Sequence, residues 1–150
     1  MKDLILKIFW ITVFAVAMAF VESAVVVYLR VIYYPEGFRF PLKLIMDDTI
    51  KVELYREMAT LFMLLSIAFL AGRRLWERFA WFILAFGVWD IFYYIWLKVL
   101  INWPVSFSEW DILFLIPTPW IGPVSAPLSI SLLMILAGIL IVHLFHNGHE

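Results

Sequence analysis

Seven polar residues stand out because of where they lie. Glu22, Arg56, Glu57, Asp90, Tyr94, Lys98 and Asp111 fall within or beside strongly apolar stretches. Ionisable groups in such surroundings are expensive to bury and mark a functional site by default. Two carboxylates in different environments can divide the roles of acid and base. Asp90 and Glu22 are the candidates for such catalysis, with Arg56 and Lys98 placed to bind an anionic head group. The same seven residues also suit a ligand-binding site that does no chemistry. A third reading is purely architectural: Glu22 or Asp90 pairs with Arg56 or Lys98 to stitch helices, or Lys98 snorkels to the surface. Ion pairs kept for stability alone fare poorly in low dielectric, which favours ligand handling for the cluster as a whole.

Other chemistries find less support. A metal site built from Glu22, Glu57 and Asp90 would lack the histidine that transition metals usually recruit, so neither metal nor cofactor is expected. His143, His146 and His149 recur every three residues near the C-terminus. The first two could share a face and touch a metal or an acidic head group, although an interfacial tail is the simpler reading. With all three on one helix, haem ligation by two histidines across helices cannot be built within the chain. Ser106, Ser108 and Ser125 have no histidine on their side to activate them, and there is no glycine-rich phosphate loop. Cysteine is absent, which removes thiolate ligands, thiol nucleophiles and disulfides together.

Composition explains the setting. Hydrophobic residues make up 65% of the 150 and charged residues 15%, against about 25% charged in soluble domains; mean hydropathy is +0.98. The net charge of −1 leaves no footprint for nucleic acid. The length suits one transmembrane helical domain over 1–150, without internal repeats or low-complexity tracts.

A helical span needs about 20 mostly apolar residues, and four segments provide them. The first covers 4–29, broken only by Glu22. The second is apolar over 58–71, and Asp48 or Thr49 can cap a helix that starts ahead of it. The third covers 79–101 and carries Asp90 and Lys98. The fourth covers 124–145, with Pro127 in its first turn, where a missing N–H does no harm. Lys2 and Lys7 followed by Ala17-Met18-Ala19 resemble a signal peptide with its cleavage site, but a retained span is expected. Lys2, Lys7, Arg73, Arg74 and Arg78 come to one side if both termini are cytoplasmic, the N-in/C-in arrangement of an inner (plasma) membrane protein.

The two connections on the other side differ. The first, through Tyr33-Tyr34-Pro35-Glu36-Gly37 and Pro41, breaks any helix. In the second, 102–123, Ser108 and Asp111 have the spacing of a capping box, with aspartate in place of the usual glutamate. Residues 109–116 then read as a short interfacial or re-entrant helix, stopped by Pro117, Pro119 and Pro123. Under this topology the acids and all six tyrosines gather in the middle or outer half, while the inner half is almost wholly apolar. The asymmetry predicts an outward-facing acidic and aromatic pocket. The apolar inner half offers no continuous proton or ion relay. Trp103, Trp110 and Trp120 are expected to anchor the outer interface.

Several segments carry a resemblance. They are Phe20-Val21-Glu22-Ser23-Ala24-Val25-Val26-Val27-Tyr28-Leu29-Arg30, Arg56-Glu57-Met58-Ala59-Thr60 and Gly87-Val88-Trp89-Asp90-Ile91-Phe92-Tyr93-Tyr94. With Trp110-Asp111-Ile112-Leu113-Phe114-Leu115-Ile116-Pro117 and Trp120-Ile121-Gly122-Pro123, they resemble a group of small prokaryotic multi-pass membrane proteins. The resemblance covers most of the chain and implies no particular activity. The tryptophan-rich TspO sensory family is similar in size, but its five-span pattern and motifs do not map here. Lipoprotein signal peptidases share a four-span plan with outer aspartates, yet the motifs around those aspartates are absent, so that likeness is architectural.

The expectation is therefore a four-span all-α membrane protein in contact with membrane lipid. Its pocket would hold a lipid, a quinone-type small molecule or a helix of another membrane subunit without catalysis. The alternative is an enzyme acting on a lipid or lipid-linked substrate by carboxylate acid–base chemistry.

Overall fold

Long apolar runs bounded by helix-stopping residues become four helices. In the computed structural model, which describes residues 1–42 and 48–148, these are α1 (Lys2–Tyr33), α2 (Thr49–Ala71), α3 (Leu75–Ile101) and α4 (Ser125–Asn147). All four are long and apolar enough to cross a membrane. The shortest have 23 residues, about 35 Å at the helical rise. They start or end within a few residues of the expected boundaries, and Pro127 sits in the first turn of α4. Asp48 occupies the N-cap position of α2 without capping it; its carboxylate instead accepts from Lys51 at 2.7 Å. At the other end of α3, Asn102 terminates the helix in the left-handed region, φ 52°, a conformation asparagine tolerates better than most residues.

The helices are not equivalent. α3 is central: it packs along α4 and α1 and more lightly on α2, while α1 and α2 barely meet. Small residues set the closest approach. A Cβ on Gly87 would stand 2.6 Å from the Ser131 carbonyl oxygen, and one on Gly138 would stand 2.9 Å from that of Ala80. Small-residue contacts of this kind drive helix association in lipid, where burial of apolar surface gives no net advantage. Ala15 and Ala19, fully buried, serve α1 in the same way. Two polar ties reinforce that contact: Ser23 donates to the Tyr93 carbonyl at 3.0 Å, and the Trp96 indole donates to that of Val16 at 3.0 Å.

One expectation is overturned. Residues 109–116 do not form a short helix. They contribute β1 (Trp110–Phe114), which pairs antiparallel with β2 (Trp120–Pro123), Asp111 lying opposite Gly122 and Ile112 opposite Ile121. The Ser108–Asp111 spacing satisfies no helix cap; the Ser108 hydroxyl meets that of Ser106 at 2.9 Å instead. A five-residue run with Trp, Ile and Phe, stopped by proline, prefers a pleated backbone, and the register leaves the donor-less Pro119 and Pro123 at the ends of the ladder. The hairpin folds back along α3. Phe114 stacks on Phe86, ring centroids 5.8 Å apart, fifteen residues short of the end of α3 and so about 22 Å along its axis.

Candidate functional site

The polar residues of the hairpin end resolve into four bonded groups rather than one open pocket. The first joins α1 to α2. Glu22 accepts from the Arg56 guanidinium and the Thr60 hydroxyl, and Arg56 also reaches Glu53, its Nε lying 3.0 Å from Oε2. Positions 53, 56, 57 and 60 share one side of α2 because they are three or four residues apart.

Glu57 forms the second group, with a partner that sequence could not supply. Its two carboxylate oxygens accept the backbone N–H groups of Leu115 (2.8 Å) and Ile116 (2.9 Å). These donors lie just beyond β1, where the ladder ends and no carbonyl faces them. A carboxylate taking two backbone donors is among the stronger neutral-to-charged arrangements available.

The third group centres on Asp111, 3% exposed. It accepts from the Tyr94 hydroxyl at 3.1 Å and pairs with Arg30 at 3.5 Å. Arg30 is sandwiched, its guanidinium carbon 4.0 Å from the Phe38 ring centroid and 3.8 Å from that of Trp103. Planar, weakly hydrated guanidinium suits such a slot, where a lysine would not. The Arg30 Nε is nevertheless buried without an acceptor. Burial pushes the Asp111 carboxyl up to about 6, outweighing the opposing pull of Arg30 and of the Tyr94 hydrogen bond.

In the fourth group Asp90, 8% exposed, accepts from the Ser131 hydroxyl of α4 at 2.8 Å. It lies within electrostatic reach of Asp111. Tyr93 sits within electrostatic reach of Arg30, Arg56, Asp90 and Asp111.

Of the residues singled out by sequence, Tyr94, Asp90 and Asp111 are brought together, as are Glu22 and Arg56, and Glu57 stands at the hairpin. Lys98 is not among them. It is exposed and donates to the Pro104 carbonyl at 3.0 Å, closing the turn after α3, because its position near the helix end leaves free C-terminal carbonyls and loop oxygens within easier reach than the buried acids. Arg30, Ser131 and Tyr93 carry roles beyond the candidate list. Arg30 was detectable as a cation ending an apolar span, whereas Ser131 carried no signal, one serine among several in α4.

A recess of about 320 Å3 at this end is lined by Phe38, Arg39, Phe40, Ser106, Ser108, Glu109 and Trp110, and by none of the four acids Glu22, Glu57, Asp90 and Asp111. Its lining combines three aromatic rings with two hydroxyls, one guanidinium and one carboxylate. No group of three or more His, Cys, Asp or Glu among the described residues is arranged to hold a metal ion. At the opposite end His146 meets the N-terminal amine at 2.8 Å and His143 meets Asn147 at 3.0 Å; His149 lies outside the described residues. Comparison of the chain with protein families, with curated proteins and with solved structures returns no match.

Proposed function

We propose that the chain is a non-catalytic binding protein of a prokaryotic plasma membrane, with both termini cytoplasmic and a re-entrant hairpin that shapes an outward-facing site for a lipid-like or quinone-type molecule. The observation that carries this reading is that Glu22, Glu57, Asp90 and Asp111 are all engaged by partners within the chain. Groups so committed hold a scaffold in place. A general acid or base needs a free lone pair or proton facing its substrate.

What the scaffold holds is a hairpin with an exposed aromatic surface. Trp110 and Trp120 are 52% and 57% exposed, and Trp110 also lines the recess. Irregular or strand backbone at membrane depth is tolerated only when its polar groups are met by protein or by a cavity. Glu57 meets two of them. A ligand with a hydrogen-bond-accepting head would meet Arg39, Ser106 and Ser108, its apolar tail following the aromatic side chains. A helix of a neighbouring membrane subunit is the other occupant consistent with such a face. The orientation is supported by Lys2, Lys7, Arg73, Arg74 and Arg78 at the end that holds both termini.

Protein purified in mild detergent and extracted into organic solvent should yield about one amphiphile per chain, or a stoichiometric partner subunit, and Trp110→Ala should reduce the yield. A monomer free of both would overturn the reading. Because the chain has no cysteine, single cysteines at Glu36 and Gly148 test the orientation. An impermeant maleimide added to intact cells should label only the first.

A second reading, acid–base chemistry on a lipid-linked substrate, is favoured by one observation: Asp90 and Asp111 lie near each other with Tyr93 and Tyr94 between helices and hairpin. Full function in cells carrying both Asp90→Asn and Glu22→Gln would eliminate it.

A further inference from the structure

At the end opposite the hairpin lies a cavity of about 510 Å3, where the start of α1, the α2–α3 turn and the end of α4 converge. Its charged lining consists of Lys7, Arg73 and Arg74 against Asp3 and Glu77, with His146 beside them. Within this set cations outnumber acids by three to two, and the N-terminal amine, held by His146, adds to the excess.

The two signs are not used alike. Glu77 is already engaged by the backbone N–H of Arg73 at 2.8 Å, across the first turn of α3. Lys7 gives one hydrogen bond to the Ala71 carbonyl at 3.0 Å, a neutral acceptor. Lys7 lies within electrostatic reach of Glu77, yet none of the three cations Lys7, Arg73 and Arg74 closes a direct ion pair among the described residues, in a molecule that pairs Arg30 and Arg56 at its other end.

A second observation is independent of charge. Trp81 is 1% exposed and lines the same cavity, yet its indole N–H has no hydrogen-bond partner. The Glu77 carboxylate lies beside it, but that carboxylate is already taken by the backbone N–H groups of Arg73 and Arg74. A buried donor left unmade costs its full desolvation, and such a group in a polar recess points to an acceptor that comes from outside. The apolar wall opposite, Leu4, Val142 and Phe145, continues onto the lipid-facing helices.

We infer that this cavity binds a phosphate-bearing anion, its oxygens taken by Lys7, Arg73, Arg74 and the Trp81 indole. Basic recesses between spanning helices on the cytoplasmic side recognise acidic head groups in this way, and guanidinium pairs with phosphate in forked geometry. A phosphodiester head group from the membrane and a free phosphate compound present the same oxygens; only the former would also use the apolar wall. The inference does not depend on the hairpin-end site.

Two arms separate the sources. The full chain in dodecyl maltoside is offered phosphatidylglycerol or phosphatidylcholine and examined by native mass spectrometry; separately, its melting temperature is followed with added inorganic phosphate at constant ionic strength. A membrane source predicts one retained phosphatidylglycerol per chain, preferred over phosphatidylcholine. Its affinity should fall about thirtyfold in Lys7→Gln/Arg74→Gln, where two charges near the surface are lost. A free phosphate compound predicts instead a rise in melting temperature that the double variant abolishes. Lys51→Gln, an exposed lysine at the other end, should behave as wild type in both arms, and Lys7→Gln alone serves if the double variant unfolds. Binding that is absent in both arms, or unchanged in the double variant, overturns the inference.

Discussion

Replacing Glu57 by alanine tests the structural logic of the hairpin most directly. The carboxylate accepts two backbone hydrogen bonds, from Leu115 at 2.8 Å and Ile116 at 2.9 Å. Hydrogen bonds to charged groups contribute about 1.5–3 kcal/mol each. Glu57 is only partly buried, so the lower figure applies, and the two together contribute ~3 kcal/mol. If the tip opens locally while the helices stay packed, that energy appears as amide exchange at Leu115 and Ile116 faster by about a hundredfold. Glu57→Gln keeps one acceptor oxygen but turns an amide donor toward the second N–H, so an intermediate increase of about tenfold is expected. Hydrogen exchange in detergent micelles, read by NMR at single amides or by mass spectrometry over the peptide that follows β1, distinguishes the three proteins. Exchange at 115 and 116 that is unchanged in Glu57→Ala would refute the reasoning, because these donors would then be protected by something other than the carboxylate.

Asp111 gives a pH dependence of definite sign. Its folded pKa, about 6, lies above the ordinary aspartate value of 3.8, so the folded state holds the proton more tightly than the unfolded one. The contribution is full below the unfolded pKa and is lost as pH rises through about 6, an effect on the order of 3 kcal/mol. The melting temperature of Asp111→Asn relative to wild type should therefore rise between pH 4 and 7, and parallel curves would exclude the effect. The α3–α4 contact can be tested separately. Alanine at Gly87 would place its Cβ 2.6 Å from the Ser131 carbonyl oxygen and 2.9 Å from Ile135, a backbone contact that cannot rotate away. Gly87→Ala should cost about 1–3 kcal/mol, seen as a lower melting temperature in detergent; an unchanged value would mean the helices have room to separate.

Hydropathy made the four helices legible because each supplies a long, mostly apolar stretch and several lie beside residues that end helices, such as Gly72 and Asn102. It did not reveal that α3 is the hub. That rank depends on which side chains are small where helices cross, and Gly87 and Gly138 acquire meaning only opposite Ser131 and Ala80. The hairpin was misread because Ser108 and Asp111 mimic a helix start, whereas the pleated reading needed more weight on Trp110-Asp111-Ile112-Leu113-Phe114 and on Trp120 just past a Pro-Thr-Pro turn. At the candidate site, charge within or beside apolar stretches drew attention to Glu22, Glu57, Asp90 and Asp111, and each has bonded partners in the structure. Their partners were less accessible. Ser131 is far from Asp90 in sequence and neutral, and the donors to Glu57 are backbone groups, which no residue type announces. Lys98 was misplaced because a helical arc says nothing about how near the helix end a long side chain can find an oxygen.

The bond from Glu57 to the hairpin tip spans 58 residues to Leu115 and 59 to Ile116, and its direction along the chain matters during synthesis. The acceptor leaves the ribosome first. By the time the apolar strand and its two exposed N–H groups emerge, α2 and α3 are already complete, and the carboxylate stands ready beside the helix along which the hairpin must fold. The donors need not wait unpaired for a later partner. With the order reversed, the strand would have to remain in water or pair with another chain until its acceptor arrived. Circular permutants that place the hairpin ahead of α2 should accordingly assemble poorly even though every contact in the finished molecule is preserved.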